Sequence, residues 1–256
     1  MAIRNLSHDF VGVDGSVTPV LNRLNISVAP GEIIAIVGRS GAGKSTLFNI
    51  ISGLLIPRAG QVDIAPDADG RPGRVGYMLQ KDLLLPWRSV LDNVLLGVEL
   101  RGGRPQERRE AAKAMLARYG LAGQFGAYPH SLSGGQRQRV ALTRTLLVAP
   151  AVLLLDEPFS ALDYETRLML EDDVLALSGG QSMSIILVTH DIDEAIAMSD
   201  RVIVLGGQPA RVREDIPIRL SLNGPRAAVG AREAPEFRAY HTQIWSALKA
   251  PVEPRA

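Results

Sequence analysis

The chain has 256 residues, 46 % hydrophobic and 21 % charged, with 28 lysines and arginines against 27 aspartates and glutamates. That composition supports one large folded domain, or one domain with a subdomain, and excludes a disordered chain. A formal charge of +1 with interspersed signs offers no basic stripe for nucleic acid or an anionic membrane, and with no cysteine there is neither a disulfide nor a thiolate metal site, so a reducing compartment fits.

The first residues, Met1-Ala2-Ile3-Arg4-Asn5-Leu6, lack the charged-then-apolar layout of a secretory signal. Strand-like runs follow at Asn25 to Val28 and Glu32 to Val37. The second feeds directly into Gly38-Arg39-Ser40-Gly41-Ala42-Gly43-Lys44-Ser45, a complete G-x-x-x-x-G-K-[ST] loop followed by Thr46 and a helix-compatible run. Glycines at 38, 41 and 43 let backbone N–H groups approach phosphate oxygens. The following helix points its positive end at the same anion. Lys44 supplies a cation for the β and γ phosphates and the Ser45 hydroxyl a ligand for Mg²⁺. The segment therefore predicts binding of a nucleoside triphosphate.

Further strands are expected at Arg74 to Leu79, Val152 to Leu155, Ser184 to Thr189 and Arg201 to Leu205, several followed by helical patterns. This is the signature of an α/β fold with a largely parallel sheet, whose C-terminal edge is the active one. Between 86 and 148 the pattern turns helical. Ser89 to Leu100 opens on a Ser-x-x-Asp cap, Pro105 to Tyr119 is amphipathic and stops at Gly120, and a third helix starts near Ser133. The apolar stretch Thr145 to Leu155 contains Pro150 and is too short for a bilayer crossing, which takes about 20 residues. A strand near Ala210 to Arg213 and a helix around Pro235 to Leu248, with Phe237, Tyr240, Ile244 and Leu248 on one face, complete the chain.

Carboxylates end the strand Val152 to Leu155: Asp156 stands where the metal of a bound nucleotide lies, and Glu157 can orient or deprotonate a water. In Leu132-Ser133-Gly134-Gly135-Gln136 the Ser-x-x-Gln spacing fits a capping box, and the paired glycines leave room for a second phosphate at the helix N-terminus. His190 follows Ser184 to Thr189 and precedes an Asp191-x-x-Glu194 cap. A lone histidine at a strand end is commonly structural, but this one shares its sheet edge with Asp156 and Glu157. Gln80 ends the strand Arg74 to Leu79, and by itself reads as a solvated loop residue.

This ordered set, Gly38 to Thr46, Gln80, Leu132 to Gln136, Leu153 to Pro158, Ser160-Ala161-Leu162-Asp163 and His190, resembles the ATP-binding cassette subunits of ABC transporters over about residues 1 to 210. The resemblance implies a single cassette over 1–256. Within it, 1–85 and 149–210 form a P-loop core with an N-terminal antiparallel β region, 86–148 an inserted helical subdomain, and 211–256 a short C-terminal strand and helix. It further implies ATP and Mg²⁺ as ligands, with Gly38, Arg39, Ser40, Gly41, Ala42, Gly43, Lys44, Ser45 and Thr46 around the phosphates. Ser45, Gln80 and Asp156 would surround the metal, Glu157 would be the general base, and His190 would contact the γ phosphate. Ser133, Gly134, Gly135 and Gln136 would bind the γ phosphate of ATP on a second cassette, most simply a second copy, and Ser160 to Asp163 would line the interface. Phe10 is the candidate for stacking on adenine.

Gln80 to Val94, with Leu83-Leu84-Leu85-Pro86-Trp87, and Tyr128-Pro129-His130-Ser131 are similar to the cassettes of nitrate, sulfonate and taurine importers. There Trp87 and Leu83 to Leu85 would meet an integral membrane permease at the cytoplasmic face, served indirectly by a solute-binding protein, with no nucleic acid involved. The alternative for these apolar residues is the core and hinge of the helical subdomain. Alternatives for the whole chain are a soluble ABC ATPase acting on ribosomes or DNA, or a nucleotide-binding regulator without turnover.

Overall fold

The computed structural model describes residues 1–65, 74–160, 162–178 and 183–250. Its centre is a sheet of six strands in the order β5-β6-β7-β3-β8-β9. These are β3 (Ile33–Gly38), β5 (Val75–Met78), β6 (Val152–Asp156), β7 (Ser184–Val188), β8 (Arg201–Gly206) and β9 (Arg211–Pro217). The four pairings along that order from β5 to β8 are parallel; β9 returns antiparallel on β8. β3 and β7 are buried throughout, which is why their sequences read as unbroken apolar runs rather than alternating ones.

Side chains of the central strands divide by parity onto two faces. Leu153, Leu155, Ile185 and Leu187 join one core with residues of α2 (Val90–Leu100), α3 (Pro105–Arg118), α4 (Gly134–Leu146) and α5 (Tyr164–Ser178). Ile34, Ile36, Leu154, Ile186 and Val188 join another with α1 (Lys44–Ile51) and with the second sheet. That sheet is antiparallel, in the order β2-β1-β4, from β1 (Ala2–Val11), β2 (Val17–Ser27) and β4 (Ala59–Asp63). Ala35, Val37, Val202 and Val204 meet α6 (Ile192–Met198) and α8 (Phe237–Lys249) in a third cluster. The architecture is α/β with an antiparallel N-terminal sheet, as expected.

The strand expected at Asn25 to Val28 is the end of the longer β2, and that expected at Ala210 to Arg213 runs on to Pro217. A short helix α7 (Ala228–Arg232) precedes α8 and was not anticipated. The helix starts read from caps are in place. The Ser89 hydroxyl accepts from the Asp92 N–H at 3.2 Å and donates to its carboxylate at 2.6 Å. Asp191 accepts from Asp193 and Glu194 N–H groups at the start of α6. Phe237, Tyr240, Ile244 and Leu248 all face the third cluster.

Parallel register decides where chemistry can gather. Asp156 pairs with Val188, Ile36 pairs with the same Val188, and Met78 pairs with Leu155. The C-terminal ends of β3, β5, β6 and β7 are thus level. Whatever follows each strand, namely the Gly38 loop, Gln80, Glu157 and His190, emerges at one edge.

Candidate active site

Two glycines of the loop after β3 are required by geometry. Gly43 has φ +75°, and a Cβ there would lie 2.6 Å from Leu21 Cδ2 and 3.0 Å from Val20 Cγ1. Gly41 has φ +78° with open space around it, so conformation alone selects it. Gly43 is also the N-cap of α1 and supplies no side-chain cap, so the N–H groups of the first turn are left for an external acceptor. The Lys44 ammonium folds back over the loop, donating to the carbonyls of Gly38 at 2.7 Å and Arg39 at 3.2 Å.

Facing the loop is an acidic edge organised around Glu157. Its backbone is left-handed, φ +46°, uncommon for a side chain of this size. The turn is fixed from both sides: Glu157 N–H donates to Val188 O at 2.8 Å, and the Ser160 hydroxyl donates to Glu157 O at 3.0 Å. Gln80 Nε2 donates to Glu157 Oε2 at 2.8 Å, and His190 Nδ1 lies 3.3 Å from Glu157 Oε1. Residues following β5 and β7 therefore converge on one carboxylate following β6. Arg167 of α5 pairs at 3.1 Å with Asp191, the cap next to His190, and so ties that turn to the helix behind Asp163.

Loop and acidic edge enclose a cavity of about 590 Å³ lined by Val20, Gly38, Ser40, Gly41, Ala42, Gly43, Lys44, Ser45, Thr46, Gln80, Asp156, Glu157 and His190. Burial holds the Lys44 ammonium below its ordinary pKa, against the pull of Glu157 and Asp156. Burial, then the neighbouring Glu157 charge, raises the Asp156 carboxyl, while the Tyr77 hydroxyl and Lys44 oppose the rise. An anion with a divalent cation would relieve both strains, neutralising Lys44 and both carboxylates. Among the described residues no three His, Asp or Glu side chains form a metal cluster. A cation here would draw on Ser45, Gln80, Asp156, phosphate oxygens and water, which is how Mg²⁺ is usually held. The residues fit that group.

The remaining expected residues lie elsewhere. Arg39 points to a neighbouring cavity of about 500 Å³ that it shares with Arg213 and the end of α8. Phe10 is exposed near the end of β1, edge-on to His8 with ring centroids 4.9 Å apart, and does not line the nucleotide-sized cavity. Ser133 caps α4 in a full capping box: its hydroxyl accepts from Gln136 N–H at 3.2 Å, and Gln136 Oε1 accepts from Ser133 N–H at 2.8 Å. A Cβ on Gly134 would meet nothing nearer than an Arg137 nitrogen at 3.9 Å, whereas one on Gly135 would press on Thr166 at 3.2 Å. Gly134 is therefore open for approach, and Gly135 is small because α5 packs against it. This turn is not part of the cavity. Ala161, within the expected interface segment Ser160 to Asp163, lies outside the described residues.

The apolar run after Gln80 divides. Trp87 is 72 % exposed and Leu83 54 %, but Leu84 is buried in the core shared by the sheet and α2 to α4, which removes it from any contact surface. Sequence reading missed two residues at the site. Val20 crosses from β2 to line the cavity. Tyr77 of β5 reaches Asp156, its hydroxyl donating to Oδ2 at 3.4 Å. Neither carries a local sequence signal, since each arrives through sheet pairing.

Comparison with known proteins agrees with this geometry. The ABC transporter family model matches residues 21–160. The uncharacterised ABC transporter ATP-binding protein YtlC of Bacillus subtilis is 39 % identical over 97 % of this chain and 95 % of its own length. The aliphatic sulfonates import ATP-binding protein SsuB 1 of Xanthomonas axonopodis pv. citri is 46 % identical over 81 % of this chain and 82 % of its own. The taurine import ATP-binding protein TauB of Escherichia coli O157:H7 is 40 % identical over 84 % of each. Among solved structures, the dimeric post-hydrolysis state of the ATP-binding cassette MJ0796 bound to ADP and Pi has a TM-score of 0.75 at 31 % identity, covering 85 % of this chain and 98 % of that one. A glycine loop with a bare helix end, a carboxylate pair at the sheet edge and a second, outward helix end, together with these matches, place the chain in the ABC transporter family as an ATP-binding cassette ATPase.

Proposed function

We propose that this cassette drives import of a small anionic solute, of the nitrate, sulfonate or taurine kind, through a separate membrane permease. The observation that carries its catalytic part is the convergence of Gln80 and His190 on Glu157, opposite Lys44, within one cavity. Glu157 takes the proton of the attacking water, and its left-handed turn holds the carboxylate toward the loop. His190 keeps one ring nitrogen on Glu157 and offers the other to the γ phosphate. Lys44 leaves the Gly38 and Arg39 carbonyls for the β and γ phosphate oxygens. Mg²⁺, held by Ser45, Gln80 and Asp156, would neutralise charge on those oxygens. Because phosphoryl transfer asks mainly for positioning and charge stabilisation, these fixed donors account for most of the chemistry.

The anionic solute class rests on the likeness to SsuB and TauB cassettes. Exposed Trp87, at the start of the helical region we assign to 86–148, and exposed Leu83, just ahead of it, form the surface for the permease. We place the cassette peripherally at the cytoplasmic face, a reading supported by its likeness to import ATP-binding proteins; no described helix is long and apolar enough to cross a membrane. Phe10 is retained as the adenine contact, reached when nucleotide fills the space beside Val20. A second copy supplies Ser133 to Gln136 across the nucleotide, and the solute-binding protein acts only through the permease.

The test is Glu157→Gln. Hydrolysis should fall by about 10²- to 10⁴-fold, the usual worth of a general base, while MgATP should shift the chain from monomer to dimer on a sizing column. A variant that stays monomeric overturns the paired arrangement. Purification from native membranes should bring down an integral permease; recovery of ribosomes or DNA instead refutes the importer.

A further inference from the structure

Tyr77 stands on the same face of the sheet as Asp156. Tyr77 pairs with Leu154 across the β5–β6 ladder, and Asp156 is two residues further along β6, the diagonal neighbour on that face. The Tyr77 hydroxyl lies 3.4 Å from Asp156 Oδ2. Its ring is held edge-on against Phe48 of α1, centroids 5.7 Å apart at 87°. Phe48 is completely buried and sits four residues after Lys44 on the helix that the glycine loop starts. The tyrosine therefore joins the nucleotide-loop helix to the carboxylate through one rigid ring.

We infer that Tyr77 is a positioning residue for the divalent cation: its hydroxyl occupies Oδ2 of Asp156 and its ring fixes the carboxylate against α1, so that Oδ1 is presented to the metal in one orientation. The inference rests on Asp156 belonging to the Mg²⁺ site. Asp156 carries few constraints besides this one. The described contacts give it no arginine partner, and Gln80 and His190 are both engaged on Glu157 instead. A metal-bound carboxylate whose free oxygen lacks a hydrogen bond samples several rotamers, and loss of such a supporting partner typically lowers metal affinity. The Phe48 contact adds that ordering of α1 by nucleotide and ordering of Asp156 by the tyrosine act on the same group.

The experiment compares Tyr77→Phe with wild type and with Asp156→Asn. Mn²⁺ is titrated into the nucleotide-bound chain and free Mn²⁺ is read by electron paramagnetic resonance; binding of a fluorescent ATP analogue in EDTA reports the intact loop. Tyr77→Phe keeps the ring against Phe48, so metal-free nucleotide binding should be unchanged while Mn²⁺ affinity falls about tenfold. Tyr77→His, which restores a donor, should recover part of that affinity, and Tyr77→Leu should not. Unchanged Mn²⁺ affinity in Tyr77→Phe, with affinity lost in Asp156→Asn, overturns the inference and leaves the metal site standing. Unchanged affinity in Asp156→Asn overturns the site itself. Equal loss of metal-free nucleotide binding in Tyr77→Phe reduces the residue to a packing role and also overturns the inference.

Discussion

The molecule presents two helix N-termini suited to phosphate, and they are built in opposite ways. At α1 the N-cap is Gly43, left-handed and without a side-chain cap, and the turn is enclosed by Lys44, Asp156, Glu157 and His190. At α4 the N-cap is Ser133, closed by a reciprocal capping box, and the turn is not part of that cavity. The first is a nearly complete site on one chain. The second has the glycine and the helix end but lies outside that cavity, so in the proposed pair it would become a site only when another surface brings phosphate. A bare end strains the helix and gains when an anion binds; a capped end is stable alone and can wait for a partner.

Removing the cation from the first terminus should separate the two most sharply. Lys44→Ala loses a charge-assisted donor to two phosphates, so nucleotide affinity of the isolated chain should drop about 100-fold and hydrolysis should vanish with it. Calorimetric titration with ATP measures the first loss. If Lys44→Ala binds ATP as wild type does, the cavity at α1 is not the nucleotide site and the contrast collapses.

A charge at the second terminus should behave differently. Gly134 has open space where a Cβ would stand, so Gly134→Asp leaves the fold and the first site untouched while placing a negative charge where a partner's phosphate would dock. ATP binding by the monomer should stay within about twofold, and hydrolysis should fall about 100-fold, the scale of removing a preorganised electrostatic donor. Equal loss of binding and turnover would mean that α4 contributes to the site on its own chain. Gly135 would be the wrong position for this test, since any side chain there presses on Thr166.

The contrast also explains what the sequence made legible. Both termini were found because caps and glycine loops are local: Ser133 and Gln136 are three residues apart, and the loop glycines lie within six residues of Lys44. β3, β6 and β7 were equally plain as apolar runs. β1 was not, because Asn5 at φ +49° and a shifting register with β2 break its alternation, and Arg4, Asn5, Ser7 and His8 dilute it. β4 is an edge strand with three exposed residues of five and so shows no apolar pattern. Contacts between strands distant in sequence were out of reach altogether. Nothing near Tyr77 announces Asp156, 79 residues away, because strand order β5-β6-β7-β3-β8 is set by packing rather than by any segment. Leu84 was misplaced for a related reason: three consecutive leucines read alike, and only the fold of α2 onto the sheet sends the middle one inward.

The smallest effect tests whether Ser133 serves the helix, the partner, or both. As a cap it satisfies the Gln136 N–H and orients Gln136 back onto its own N–H, so Ser133→Ala should cost about 1 kcal/mol and lower Tm by roughly 2–4 °C in a chain of this size. Ser133→Asn preserves a capping oxygen but moves it on a longer arm, and its Tm should return close to wild type. If Ser133 were only a cap, hydrolysis would recover along with Tm. If the hydroxyl also meets phosphate across a pair of cassettes, Ser133→Asn should remain slow at wild-type Tm, because stability depends on any acceptor at that position whereas the docking phosphate needs a donor at the hydroxyl's own place. Parallel recovery of both quantities would reduce the second terminus to an ordinary capped helix. Recovery of Tm alone would make it half of an active site.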